Sequence, residues 1–185
     1  LGSTNTGLLR YNGYEFEAFD VLPESVSNNI MVPDIDALLM DKDHQLWIGS
    51  WGMGLSKVDT KTGLIYHYSD QPDSTLVLAS NYIQSLLMDA SGVLWIGSNK
   101  GLQRLLPDGH LETIGAADAA QPLINQRIWA LAQTKDGSIW IATGNGLHQW
   151  TNEHGLSKAY QAFDPQSGNN EMRALFADGD RLWVG

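Results

Sequence analysis

The chain has 185 residues, with 11 Lys and Arg against 21 Asp and Glu and a net charge of -10. That balance argues against a nucleic-acid partner, because phosphate backbones are held chiefly by cations. Hydrophobic content of 43% with 17% charged residues is that of an ordinary globular protein, no apolar run approaches the roughly 18 residues of a membrane span, and the absence of cysteine excludes disulfides and thiolate metal sites.

The sequence opens without an initiator Met or a signal peptide and reads as an excerpt of a longer protein. Its first stretch, "LGSTNTGLLRYNG" from Leu1, matches "IGSNKGLQRLLPDG" from Ile96 if one residue is inserted. "QLWIGSWGMGLSKVD" follows from Gln45, "VLWIGSNKGLQRLLPDG" from Val93 and "SIWIATGNGLHQWT" from Ser138, and the chain ends on "RLWVG". The marker residues Trp47, Trp95, Trp140 and Trp183 are 48, 45 and 43 residues apart, the span of one four-stranded propeller blade.

Within a copy, apolar residues alternate with period two between turn residues, as strands require. The third copy predicts strands over Ile83 to Met88, Val93 to Ser98, Gly101 to Leu106 and His110 to Ile114, with turns at "DASG", "NKG" and "PDG". Helical spacing is nowhere convincing. The predicted fold is all-β, a propeller fragment of antiparallel four-stranded blades with strands A to D in chain order. Residues 1–32 supply strands C and D of a first blade, 33–78, 79–123 and 124–168 are full blades, and 169–185 supply strands A and B of a last one.

On strand A the small residues Ala37, Ser85, Ala130 and Ala174 share a column and place A where strands crowd around an axis. The Trp of strand B then fills the wider gap between blades, each buried indole contributing up to about 5 kcal/mol. Gly49 and Gly97 after it imply close backbone approach. The end faces of the fragment are exposed in an open arc, closed by pairing of the half-blades into a fourth blade, or covered by a second chain as a homodimer; the sequence leaves all three open.

The repeated "LWIGS", the short link, "GLxRL" and the upstream "IxxLLMDxxGxLWIG" resemble the two-component regulator propeller repeat. The resemblance implies a seven-bladed sensory propeller in the periplasmic part of a membrane-anchored histidine kinase, hybrid regulator or diguanylate cyclase. The partners it implies are the rest of the propeller and the parent signalling protein. No output motif lies in these residues, so the chain itself is not expected to be an enzyme.

Each chemical signal has a plainer reading beside it. Asp34, Asp36, Asp41 and Asp43 cluster around "DKDHQ", but the stretch lacks the glycine and closing Glu of a calcium loop, and Asp suits tight turns. His44, His67, His110, His148 and His154 show no metal-type pairing, and "GNG" and "WGMG" lack phosphate-loop spacing. Catalytic residues, metal and cofactor are accordingly expected to be none.

Specialisation is expected where the copies differ. The B-to-C links carry Thr4, Asn5, Trp51, Met53, Asn99, Lys100 and Asn145, and the D-to-A approaches carry Asn28, Asn29, Asn81, Tyr82, Asn125, Gln126, Arg127, Asn169 and Asn170. Both sets emerge at one end of a propeller. One column of strand A there reads Asp36, Gln84, Trp129 and Arg173. Amides, a few charges and exposed rings suit a small polar ligand or oligosaccharide. The candidate binding set is Trp51, Asn81, Tyr82, Asn99, Lys100, Arg127, Trp129, Asn145 and Arg173. A protein-interaction scaffold is the first alternative. A lyase or metal-dependent hydrolase with a central-channel site is the second, although of that column only Asp36 has a fitting side chain.

Overall fold

A computed structural model describes residues 2–3, 7–18, 34–116, 119–161 and 170–185, and the loop candidates Thr4, Asn5, Asn28, Asn29 and Asn169 lie outside them. The residues fall into two units, Leu1–Ile83 and Gln84–Gly185.

In the first unit, β1 (Gly2–Ser3), β2 (Gly7–Tyr11) and β3 (Phe16–Ala18) form a three-stranded sheet. It has one short strand more than the two expected, because Gly2 and Ser3 pair antiparallel with Leu8 and Gly7. A four-stranded sheet follows, made in chain order from β4 (Ile35–Met40), β5 (Gln45–Ser50), β6 (Leu55–Asp59) and β7 (Ile65–Tyr68). Between them lies a small core of buried Ile48 and Val58, with Leu8, Ile35, Leu46 and Ile65 packed on it.

The next sheet contains β8 (Ile83–Met88), β9 (Leu94–Ser98), β10 (Gly101–Leu105) and β11 (Leu111–Ile114). β8 matches the expected span, and the other three are each shorter by one residue. Within the second unit follow the sheet of β12 (Ile128–Gln133), β13 (Ile139–Thr143), β14 (Gly146–Thr151) and β15 (Gly155–Leu156), and the pair β16 (Leu175–Asp178) and β17 (Arg181–Val184). All paired strands are antiparallel and joined in succession.

The core of this unit combines residues of successive sheets. Trp95, Leu102, Ile128, Ile139, Ile141, Trp150 and Leu156 form one buried cluster. The rings of Trp95 and Trp150 meet edge to face at 4.8 Å, and the Arg104 guanidinium lies over both, at 5.7 and 4.8 Å. Arg104 Nε also donates to Glu112 Oε2 at 2.6 Å, so the charge is matched where it is partly withdrawn from water.

The indoles are anchored as well as packed. Trp47 Nε1 donates to Asp41 Oδ2 at 3.0 Å, Trp95 Nε1 to Asp89 Oδ2 at 2.9 Å and Trp140 Nε1 to Thr134 Oγ1 at 3.0 Å. The same aspartates close the A-to-B turn, Asp41 Oδ1 accepting from the amides of Asp43 and Gln45 and Asp89 Oδ1 from those of Ser91 and Val93. Both oxygens of Asp41 are therefore occupied by turn and indole bonds, whereas Asp36 lies on β4. Trp47 and Trp95 are buried, Trp140 is half-buried, and Trp183 is 60% exposed. This last indole departs from the expectation. β17 has only β16 beside it among the described residues, so no third strand helps to cover the ring.

The small-residue column has a local cause. Ala37 pairs with Gly49 across the ladder, leaving a hollow that the next strand A fills. A Cβ on Gly49 would stand 2.7 Å from Ile83 Cγ2 and 3.2 Å from Ala37 Cβ. In the second unit a Cβ on Gly97 would meet Ser85 Oγ, with Ile128 Cγ2 at 2.7 Å. Ile83 and Ile128 have no exposed surface. Small side chain, glycine and inserted isoleucine thus form a repeated interlock.

Candidate functional site

The links after the indole strands are shaped by a buried hydroxyl and a glycine. Ser50 Oγ donates to the carbonyl of Gly54, Ser98 Oγ to that of Gly101 and Thr143 Oγ1 to that of Gly146, at 2.8 to 3.0 Å. Gly54, Gly101 and Gly146 all have positive φ, which side chains with a Cβ rarely adopt. A Cβ on Gly54 would also collide with the Tyr68 carbonyl.

In the first unit this geometry brings a B-to-C link against a D-to-A approach. The amides of Gly52 and Gly54 donate to the Asn81 carbonyl at 2.9 and 2.8 Å, and Trp51 forms a bridge with Tyr82. The two rings meet edge to face with centroids 5.1 Å apart. Trp51 is 42% exposed, Met53 42% and Tyr82 37%, so these side chains form a partly exposed apolar ledge on the link. Asn81 does not extend it. Its Oδ1 accepts from the Asp70 amide at 2.9 Å and its Nδ2 donates to Asp70 Oδ1 at 2.7 Å, which ties the loop down. On the adjoining strand, Asp36 sits at a register shift of β4 on β5. Partial burial, followed by repulsion from Asp34, raises its pKa above the usual carboxylate value.

In the second unit Arg127, Trp129 and Arg173 converge. Trp129 follows buried Ile128 at a register shift between β12 and β13, a bulge of the kind that re-aims a side chain. The guanidinium carbons of Arg127 and Arg173 lie 5.1 and 4.9 Å from the Trp129 ring centroid. Arg173 pairs with Glu171 at 3.1 Å. The Arg127 amide is fixed by Asn125 Oδ1 at 2.8 Å, and its carbonyl accepts from Gly144 at 3.1 Å. Trp129 Nε1 is covered and has no hydrogen-bond partner among the described residues, and both amide atoms of Gln84, the same position of strand A in the preceding sheet, are in the same condition.

The remaining candidates are more dispersed. Asn145 Oδ1 lies 3.5 Å from the amide nitrogens of both Gln161 and Asn170. Asn99 is half-buried and held by an interaction of its own, whereas Lys100 is exposed. The structure therefore forms two groups, Trp51 with Tyr82 over the Asn81 tie, and Trp129 under two arginines. Gln84 and Glu171 were missing from the sequence-derived set. Gln84 was legible as a member of the variable column, while Glu171 carried no signal beyond its nearness to Arg173.

Two segments, 77–100 and 122–145, match the two component regulator propeller family. Over 98 residues the chain is 34% identical to histidine kinase P4 of Formosa agariphila, a match covering 53% of this chain and 7% of that protein. The extracellular domain of BT4673 from B. thetaiotaomicron superposes with a TM-score of 0.75 at 22% identity, over 98% of this chain and 23% of that one. That of BT3049, a hybrid two component system of the same organism, gives 0.64 at 25% identity over 82% and 20%. The chain thus spans less than a quarter of each of these relatives. Among the described residues its antiparallel sheets, three of four strands, one of three and one of two, have the all-β fold of β-propeller blades. Two of the repeats that build it match the two component regulator propeller repeat, and the sequence is similar to that of a histidine kinase.

Proposed function

We propose that the chain is part of the periplasmic sensory propeller of a membrane-anchored bacterial signalling protein, and that its loop end binds a carbohydrate. The signalling role is supported by the repeat family and the histidine kinase relative. The ligand class is carried by one observation, the exposed edge-to-face pair of Trp51 and Tyr82 with Met53 beside it. Flat apolar surface of this kind receives the C–H face of a sugar ring, and the neighbouring loop groups meet its hydroxyls.

Ligand binding changes output only if the ligand prefers one arrangement of the parent protein over another. The propeller is the input, and catalysis belongs to other parts of the parent. The test is a thermal-shift and calorimetric screen of the full-length parent against neutral and acidic oligosaccharides, with Trp51→Ala in parallel. Binding that weakens about tenfold or more in the variant is expected. If no oligosaccharide binds and a stoichiometric protein partner is recovered instead, the ledge is a protein contact and the carbohydrate reading fails.

A further inference from the structure

We propose that Arg127, Trp129 and Arg173 form, within the second unit, an anion site for an acidic carbohydrate bearing a carboxylate or a sulfate; this rests on the carbohydrate reading above. Two guanidinium groups share one indole in a chain with only 11 Lys and Arg and a net charge of -10. Like charges held within about 10 Å repel unless a counter-charge accompanies them. Glu171 supplies it for Arg173, but among the described residues no carboxylate pairs with Arg127.

The arginines also redefine what Trp129 does. A ring with cations over it is not a free stacking platform for a sugar face, so its contribution differs from that of Trp51. Instead it holds two forked donors near one another, and such forks suit bidentate contact with a planar or tetrahedral oxyanion. Both guanidiniums sit on exposed residues and can turn towards a ligand. The covered Trp129 Nε1 adds a donor that has no hydrogen-bond partner among the described residues. Buried polar groups left unpaired are uncommon and point to a missing partner. An acidic sugar brings both kinds of group, charged oxygens for the arginines and hydroxyls for the indole N–H.

The test compares a free-acid oligogalacturonide, its fully methyl-esterified form and a sulfated oligosaccharide of similar length, titrated calorimetrically into the full-length parent. At least one acidic ligand is expected to bind tenfold or more tighter than the ester. That advantage should fall to twofold or less in Arg127→Gln and Arg173→Gln, with unchanged melting temperature showing that the variants fold. The carboxylate and sulfate arms show which oxyanion is read. Equal binding of acid and ester overturns the anion subsite while leaving the carbohydrate reading intact. An acidic preference that survives both substitutions overturns it too, and so does silence from all three ligands.

Discussion

Substituting Gly97 by alanine tests the interlock between successive blades. The added methyl would stand 2.7 Å from Ile128 Cγ2 and 3.0 Å from Ile128 Cβ, and closer still to Ser85 Oγ. Neither neighbour is the loose end of a long side chain, because Ile128 is fully buried and branched at the contact. Overpacking of this kind costs about 1–3 kcal/mol. Gly97 is not among the glycines with positive φ, so the stiffer unfolded chain returns about 0.4–1 kcal/mol. A net loss of roughly 1–2 kcal/mol is expected, or about 2–8 °C in Tm for a chain of this size. Urea denaturation followed by tryptophan fluorescence measures it. Ile128→Ala should cost less in the Gly97→Ala background than alone, by about 1 kcal/mol, since it removes the atoms in conflict. Ala142, which occupies the equivalent position without exposed surface, shows that a methyl fits where the facing residue allows it. A Gly97→Ala chain as stable as the parent, with no coupling to Ile128, would refute the close packing of these blades.

Asp89→Asn should destabilise by about 1–3 kcal/mol, because an amide cannot accept at every site the carboxylate serves; calorimetric melting checks it. Burial opposes the charge of Asp89, yet bonds from the Ser91 hydroxyl, the Trp95 indole and the Val93 and Ser91 amides hold its pKa below the usual 3.8. Its contribution is therefore present above pH 3.8 and is lost as the pH falls towards the folded value, so the Asn variant should show a shallower acid transition there. His148 acts in a different range. Ile124 N–H donates to its Nε2 at 3.1 Å and its Nδ1 lies 2.9 Å from the Ser157 carbonyl, an arrangement that needs the neutral ring protonated on Nδ1. Burial, only partly countered by Ser157, lowers its pKa. Stability should therefore fall as the pH drops below about 6.5, the unfolded histidine value, and His148→Gln should remove that part of the pH dependence in denaturant titrations.

Much of the fold was written in the repeat. The spacing of the tryptophans, the alternation and the turn residues placed β8 to the residue, because each blade closes on itself through short hairpins. The six-residue step from Asp41 to Trp47 and from Asp89 to Trp95 was also present, but a turn aspartate accepting from an indole two strand positions away is visible only once the hairpin is built. The binding end was less legible. Trp51, Asn81 and Tyr82 looked alike as polar or aromatic loop residues, yet Asn81 spends its amide on Asp70 while the two rings stand free. Trp129 and Trp51 likewise looked equivalent. What separates them is the pair of arginines, one upstream by two residues and the other brought in from a different blade.

Each complete sheet uses four strands that are neighbours in both space and chain order. During synthesis a ladder can therefore zip as soon as its own stretch leaves the ribosome, since its contacts are local and carry little loop-closure cost. The indole pocket of the second unit matures later. Trp95 is sealed by Trp150 and Ile128, which belong to residues translated afterwards. The growing polypeptide thus always trails one unsealed apolar face at its newest end, the point at which a chaperone would find it.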